Sequence, residues 1–335
     1  MRVVSVLRTT VGVDEFPIFQ ALLRVDPDLV NFDDRIYGFH EIPNQMARIE
    51  RRLNRRAYKA KFNADIQHYL LAYRPRLLVV FKAPHLDEAT IHVARAQGTH
   101  VIIMYPDLDP RVHGASYLEV LRSADTFYFT KPNLGPHFRS HIRDDALLIS
   151  PLYSKNDLKE PAVANNDLGL VFVGHYSPGK SADLERMATI YRRRITIIGD
   201  GWAGREWISG LSHVNVLPPL FGAAVKDVYR QAVCNLGLLM EPLGGGWPGD
   251  EITARSVLVP ASGGALLHPR NPAAEQLYGA KSPMLYRDFA EAARIAEELQ
   301  ERPDLRRAWA VSQQEAVKVN ATCAEDLVNQ WMEFA

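Results

Sequence analysis

Apolar, mostly β-branched runs of strand length recur along the chain, at 3–7, 77–81, 100–104, 126–129, 147–150, 170–173, 195–198 and 235–240. Stretches at 48–73, 86–97, 181–193 and 223–233 instead carry apolar residues at helical spacing. Strands that are apolar throughout are buried on both faces, so their alternation with amphipathic helices predicts parallel sheets covered by helices, an α/β fold. The segment 151–168 is polar, contains Pro151 and Pro161, and reads as a linker. The expected division is therefore a first Rossmann-like domain over 1–150, the linker, and a second such domain over 169–312. The closing helical stretch ends in Trp331, Met332 and Phe334 and needs a surface to bury them. The expectation is that 313–335 crosses back to the first domain, and that the two domains face a cleft at the carboxyl ends of their strands.

A length of 335 residues suits two domains, and 47% hydrophobic with 23% charged residues is ordinary for a globular protein. The 39 basic and 39 acidic residues cancel, which argues against nucleic-acid binding. Cys234 and Cys323 read as core thiols of a reducing compartment. The N-terminus resembles a first strand more than a signal peptide, and no window approaches the roughly 20 apolar residues of a membrane span. A cytoplasmic protein is expected.

Candidate chemistry begins at 241–264, EPLGGGWPGDEITARSVLVPASGG, where glycines and an acidic pair lead into a helix. Helix N-termini favour phosphate, although a plain glycine-rich turn has the same appearance. Gly174 follows a strand and precedes Ser177 and Lys180, a hydroxyl and a cation suited to phosphate. Gly174, Gly179, Lys180 and Ser181 also satisfy the bare Walker A spacing. Against a P-loop, Pro178 removes an amide from the phosphate nest, and Asp200 is a weak candidate for holding Mg²⁺. The strand 195–198 runs into Gly199-Asp200-Gly201-Trp202.

The succession F-V-G-x-Y-S, I-I-G-D-G-W, Pro218-Pro219 with Tyr229, and R-S-V-L-V-P-A-S-G-G-A-L-L resembles the C-terminal half of glycosyltransferases related to the spore-maturation protein CgeB. The resemblance spans 165–310, and extends more loosely to Arg74-Pro75-Arg76-Leu77 and Tyr105-Pro106-Asp107. It implies a GT-B enzyme that takes a nucleotide-diphosphate sugar without metal or further cofactor. The diphosphate would lie on amides near Ile252-Thr253 with Arg255 or Lys180 offsetting charge, the Gly174 loop beside it, and the base near Pro219-Leu220-Phe221. The implied donor set is Gly174, Ser177, Lys180, Gly201, Trp202, Leu220, Asp250, Glu251, Thr253 and Arg255. The family pattern Arg-Thr-Phe-Glu-Ile-Pro-Ala becomes Arg255-Ser256-Val257-Leu258-Val259-Pro260-Ala261, with Leu258 where a donor-binding glutamate is expected. Either Asp250 or Glu251 substitutes, or donor binding has changed, or catalysis is lost.

A general base for the acceptor hydroxyl would come from the first domain: Asp14, Asp107 (with Asp109) or His113, each of which also reads as a turn or cap residue. Inverting and retaining chemistry both remain open. The acceptor is a glycan, a lipid-linked or a small molecule. The basic run Arg48, Arg51, Arg52, Arg55, Arg56, Lys59, Lys61 spreads around a helix like a solvated face; its functional reading is a rim for an anionic acceptor or for anionic lipid head groups. A sugar-nucleotide epimerase and a non-catalytic nucleotide-sugar-binding protein are the alternatives.

Overall fold

The computed structural model describes residues 2–10, 14–39, 45–165, 167–240 and 248–335, with side chains from residue 49 in the third stretch. The chain divides into two compact units, Met1–Ile149 with Ala324–Ala335, and Ser150–Cys323.

Among the described residues, the first unit builds one parallel sheet from β1 (Val3–Val6), β2 (Val30–Asn31), β3 (Leu77–Phe81), β4 (His100–Tyr105), β5 (Thr126–Phe129) and β6 (Leu147–Leu148), in the order β2-β1-β3-β4-β5-β6. Every residue of β1 and β3 is buried, as their uninterrupted apolar sequence requires of strands covered on both faces. Side chains fix the strand entrances. The Asp26 carboxylate accepts from the Arg2 and Val3 amides at 2.8 and 2.9 Å, and Asp125 accepts from Val101 at 2.9 Å. The long helix Gln45–Tyr73 buries Phe62, Ile66 and Leu70, one helical turn apart. The chain's last helix, Ala324–Trp331, packs on the helix Phe16–Val25. Trp331 is fully buried there, and its indole donates to the Tyr128 hydroxyl at 3.3 Å.

The second unit opens with β7 (Leu152–Tyr153), within the stretch expected as a linker, and builds a second parallel sheet from β8 (Leu170–Val173), β9 (Ile195–Ile198), β10 (Val214–Leu217), β11 (Cys234–Leu236), β12 (Leu266–Pro269) and β13 (Leu285–Tyr286). Its order among the described residues is β10-β9-β8-β11-β12-β13, the doubly wound 3-2-1-4-5-6 arrangement. The helical stretch expected to end the chain is interrupted: Pro303–Asn320 belongs to the second unit, and β14 (Thr322–Cys323) then pairs with β7. Among the described residues, no helix is long and apolar enough to cross a membrane.

Helix Pro303–Asn320 closes the second unit by sending polar side chains to backbone that the sheet leaves unpaired. Gln313 donates to and accepts from Leu266 at 2.9 Å each, and Gln314 donates to Ala261 and Lys159. Arg306, 1% exposed, donates to the carbonyls of Ala162, Arg230, Ala232 and Val233. Three of these lie at the C-terminal end of helix Ala223–Gln231, where a cation also meets the negative end of the helix dipole. Replacing Arg306 by Met should leave these carbonyls without donors and cost about 3–5 kcal/mol in urea unfolding; a loss within experimental error would contradict this role.

Candidate functional site

In doubly wound sheets ligands bind outside the carboxyl ends of the strands, where the strand order reverses. In the second unit that point lies between β8 and β11, so the residues that follow them, from Gly174 and from Gly237 onward, frame it. Arg255, in the first turn of helix Ala254–Ala261, spans the gap. Its guanidinium donates to the Val173 and Leu238 carbonyls at 2.8 Å each and lies 5.2 Å from the centre of the Phe172 ring. Gly174 makes room beneath it, because a Cβ there would sit 2.6 Å from Arg255 Nη1 and push the guanidinium aside. Lys180 stands close enough for its ammonium to be destabilised, first by burial and then by Arg255, with Asp250 opposing. Two neighbouring cations at the switch point, beside a glycine and the N-terminus of helix Pro178–Ile190, form an arrangement that an anion relieves.

The surrounding loops hold this arrangement in place. Ser177 caps helix Pro178–Ile190 by accepting from the Lys180 amide at 3.3 Å. The Gly174 amide bonds to Ile198 O at 2.9 Å, and Gly199 packs so closely that a Cβ on it would lie 2.2 Å from Gly174 O. Trp202 donates to that same carbonyl at 2.7 Å and is fully buried between Phe172 and Tyr176. Trp202, expected to touch the donor, is thus a core side chain that anchors the Gly174 loop from behind. Gly201 is exposed at the turn. Leu220 packs with Val171, Ile198 and Ala232, while its neighbour Phe221 is 57% exposed.

The Walker-type reading fails locally. The helix already begins at Pro178, which leaves only 175–177 as loop, and Ser181 Oγ accepts from Trp207 Nε1 at 3.0 Å. The Thr253 amide, expected at the diphosphate, is engaged by Ser256 Oγ at 3.0 Å. Asp250 lies within electrostatic reach of Lys180, and burial pushes the Glu251 carboxyl above its ordinary range. Leu258 packs against a cluster of Tyr153, Val257, Ala261, Leu277, Val317 and Cys323, so the expected glutamate position is apolar packing here. Gly244, Gly245, Gly246 and Trp247 lie outside the described residues.

In the first unit the order reverses between β1 and β3. Asp107 and Asp109 follow β4, but each meets a cation: Asp107 pairs with Lys82, and Asp109 with Arg111 at 2.9 Å. His113 ends a 3₁₀ turn, edge-on to Tyr105 and Tyr117, with its Nε2 buried and unpartnered among the described residues. Burial and then Lys82 lower its pKa, so the ring is neutral at pH 7. Lys82 and Ala83, at φ of 59° and 41°, turn the chain out of β3 in a conformation that non-glycine residues seldom adopt. Asp14 is an exposed turn residue. Its neighbour Glu15 is the buried carboxyl, with a pKa pushed up to about 7, chiefly by desolvation and further by Asp14. Two adjacent acids look alike in the sequence, and burial is what distinguishes them.

Comparison with solved structures places this geometry. HepE of Anabaena in complex with UDP superposes with a TM-score of 0.68 at 11% identity, covering all of both chains. The fold is GT-B. A trehalose-6-phosphate synthase gives a TM-score of 0.64 at 11% identity over 99% of this chain and 98% of that one. A UDP-N-acetylglucosamine 2-epimerase, so assigned in Listeria monocytogenes, gives 0.58 at 11% identity over 99% and 94%. Residues 181–333 match a family model described as glycosyl transferase-like. No curated protein matches the sequence.

The buried carboxyl carries a stability signature. With its folded pKa about 7, above the unfolded value of roughly 4.3, Glu15 supports folding fully only below the unfolded pKa, and that support is lost as pH rises through 7. Glu15→Gln should therefore leave stability unchanged near pH 4 relative to wild type and raise it by about 3–4 kcal/mol above pH 8. Urea melts across this range test it, and a variant curve parallel to wild type at all pH values would contradict it.

Proposed function

We propose that this chain is a GT-B glycosyltransferase that moves a sugar from a nucleotide-diphosphate sugar to an acceptor hydroxyl. The observation that carries the reading is the Arg255–Lys180 pair at the switch point of the second unit, beside Gly174 and the start of helix Pro178–Ile190. In transfer, negative charge develops on the leaving diphosphate, and these two cations with the helix amides would offset it in place of a metal. The match of 181–333 to a glycosyl transferase-like family and the likeness to a UDP-bound structure support the same donor class. Leu258 removes one expected hydroxyl contact, which leaves Asp250 and Glu251 as the nearby carboxylates for the sugar. A cytoplasmic location fits the two buried cysteine thiols, Cys234 and Cys323.

For deprotonation of the acceptor, His113 is the best base among the candidates of the first unit. It is neutral and has a ring nitrogen without a partner among the described residues, whereas Asp107 is held by Lys82.

Calorimetry with UDP-, GDP- and TDP-sugars should identify one donor, bound about 10- to 100-fold more weakly by Arg255→Ala. Binding of none would sink the reading. Sugar interconversion without an acceptor would favour an epimerase, and binding without turnover a non-catalytic role.

His113→Ala should lower kcat by about 100- to 10,000-fold with donor affinity retained. Because activity needs the unprotonated ring, the rate should rise with pH through the His113 pKa, and the acid limb of kcat/KM should lie below the ordinary histidine value of roughly 6.5. An acid limb unchanged in His113→Ala would remove the residue from this role.

A further inference from the structure

The first unit contains a second concentration of positive charge, at its own switch point. A cavity of about 600 Å³ is lined by Phe39, Arg51, Arg52, Arg55 and His85. Arg8 follows β1 and His85 follows β3, so this is the carboxyl side of the sheet where the order reverses. Its floor is aromatic: Phe39 and His85 stack with ring centres 3.6 Å apart and planes 13° apart. The floor is also rigid. Asn63, buried on the long helix, donates to His85 O at 2.9 Å and accepts from the Asp87 amide at 2.7 Å, and the left-handed turn at Lys82–Ala83 leads into the same loop.

The local field is cationic. Two acids beside these cations are already paired, Asp34 with Arg8 at 3.1 Å and Asp87 with Lys59 at 2.5 Å. Among the described residues no carboxylate pairs with Arg52 or Arg55. His85 registers this field: burial, then Arg55, Lys59 and Arg8, drive its pKa down to about 3, so it is a neutral stacking surface and not a further charge.

We infer that this cavity is an acceptor subsite for a sugar bearing an anionic group, a carboxylate or a phosphate, with the group held by Arg52 and Arg55 and the ring laid against Phe39 and His85. Guanidinium forks match the two-oxygen edge of carboxylate and phosphate, and the volume is that of a small-ligand pocket. Its role toward an acceptor rests on the transferase reading; anion binding itself does not.

The test is calorimetry on the full chain with glucuronate and glucose 1-phosphate as anionic probes and glucose as the neutral one. The anionic sugars should bind at least about tenfold more tightly than glucose, and more weakly as salt rises. The Arg52→Ala/Arg55→Ala double variant should lose about tenfold or more of that affinity; both residues are exposed, so folding should survive, and Phe39→Ala should weaken anionic sugars while leaving inorganic phosphate binding intact. Equal binding of glucose, or an unaffected double variant, would overturn the inference. So would binding to vesicles of phosphatidylglycerol and phosphatidylcholine with no binding of the soluble sugars, which would make the patch a membrane-docking face. UDP binding in the same samples separates the two readings. Anion binding without UDP binding would remove the transferase and leave the anion site, whereas UDP binding without anion binding would remove only this inference.

Discussion

The second unit depends on one constraint, the approach of a guanidinium to a glycine backbone. Arg255 bonds to the carbonyls of Val173 and Leu238, so it ties together the ends of two neighbouring strands whose onward connections run to opposite sides of the sheet. Gly174, having no Cβ, leaves that position open. Gly174 is itself fixed by Trp202 and by the Gly199 backbone pressed against its carbonyl. The chain thus commits a fully buried tryptophan and two glycines to orienting one short loop. An arginine already bound to carbonyl oxygens loses little rotamer entropy when a ligand arrives, which is what preorganised charge stabilisation requires.

The two units solve the same problem with different materials. In both, a parallel sheet reverses its order and leaves a crevice at the strand ends, and in both the crevice is electropositive. The second unit supplies its charge from the first turns of two helices that follow strands of its sheet, at Lys180 and Arg255. The first supplies it largely from outside, from a helix of 29 residues whose exposed arginines overhang the loop after β3. On the transferase reading, charge mounted on a rigid frame suits a diphosphate common to many donors, whereas charge on an exposed helix face above an aromatic floor can be altered without disturbing the core.

Much of the architecture is legible in the sequence because parallel strands are apolar throughout. The runs at 77–81 and 195–198 coincide with β3 and β9 to the residue. Short or half-exposed strands leave weaker marks. Val214–Leu217 is nowhere fully buried, Val30–Asn31 is two residues long, and Leu266–Pro269 follows a glycine pair that hides its start. The site divides in the same way. Gly174, Lys180 and Arg255 stand out because each sits at a strand or helix end in a recurrent order. Trp202 misleads, since a glycine-flanked aromatic signals a turn but not the side its ring faces. Arg8, Phe39, the arginines of the long helix and His85 are far apart in sequence, and only the strand order brings them to one crevice.

Leu258 shows how a departure from a family pattern is read once packing is known. On helix Ala254–Ala261 it lies one turn from Arg255, yet it packs with Tyr153, Leu277, Val317 and Cys323, a cluster that includes β7 and β14. A glutamate turned into that cluster would bury a charge among apolar groups at a cost of several kcal/mol. The leucine therefore belongs with the local closure of the second unit, where the chain's entry and exit strands pair. On the transferase reading, donor recognition here then leans on the diphosphate, already faced by two cations, and the sugar hydroxyls fall to the loop carrying Asp250 and Glu251. Glu251 suits that role because burial raises its pKa and Asn271 holds its backbone carbonyl at 2.9 Å. A carboxyl that is partly desolvated and fixed through its own backbone loses less solvation on meeting a hydroxyl than a fully hydrated one would.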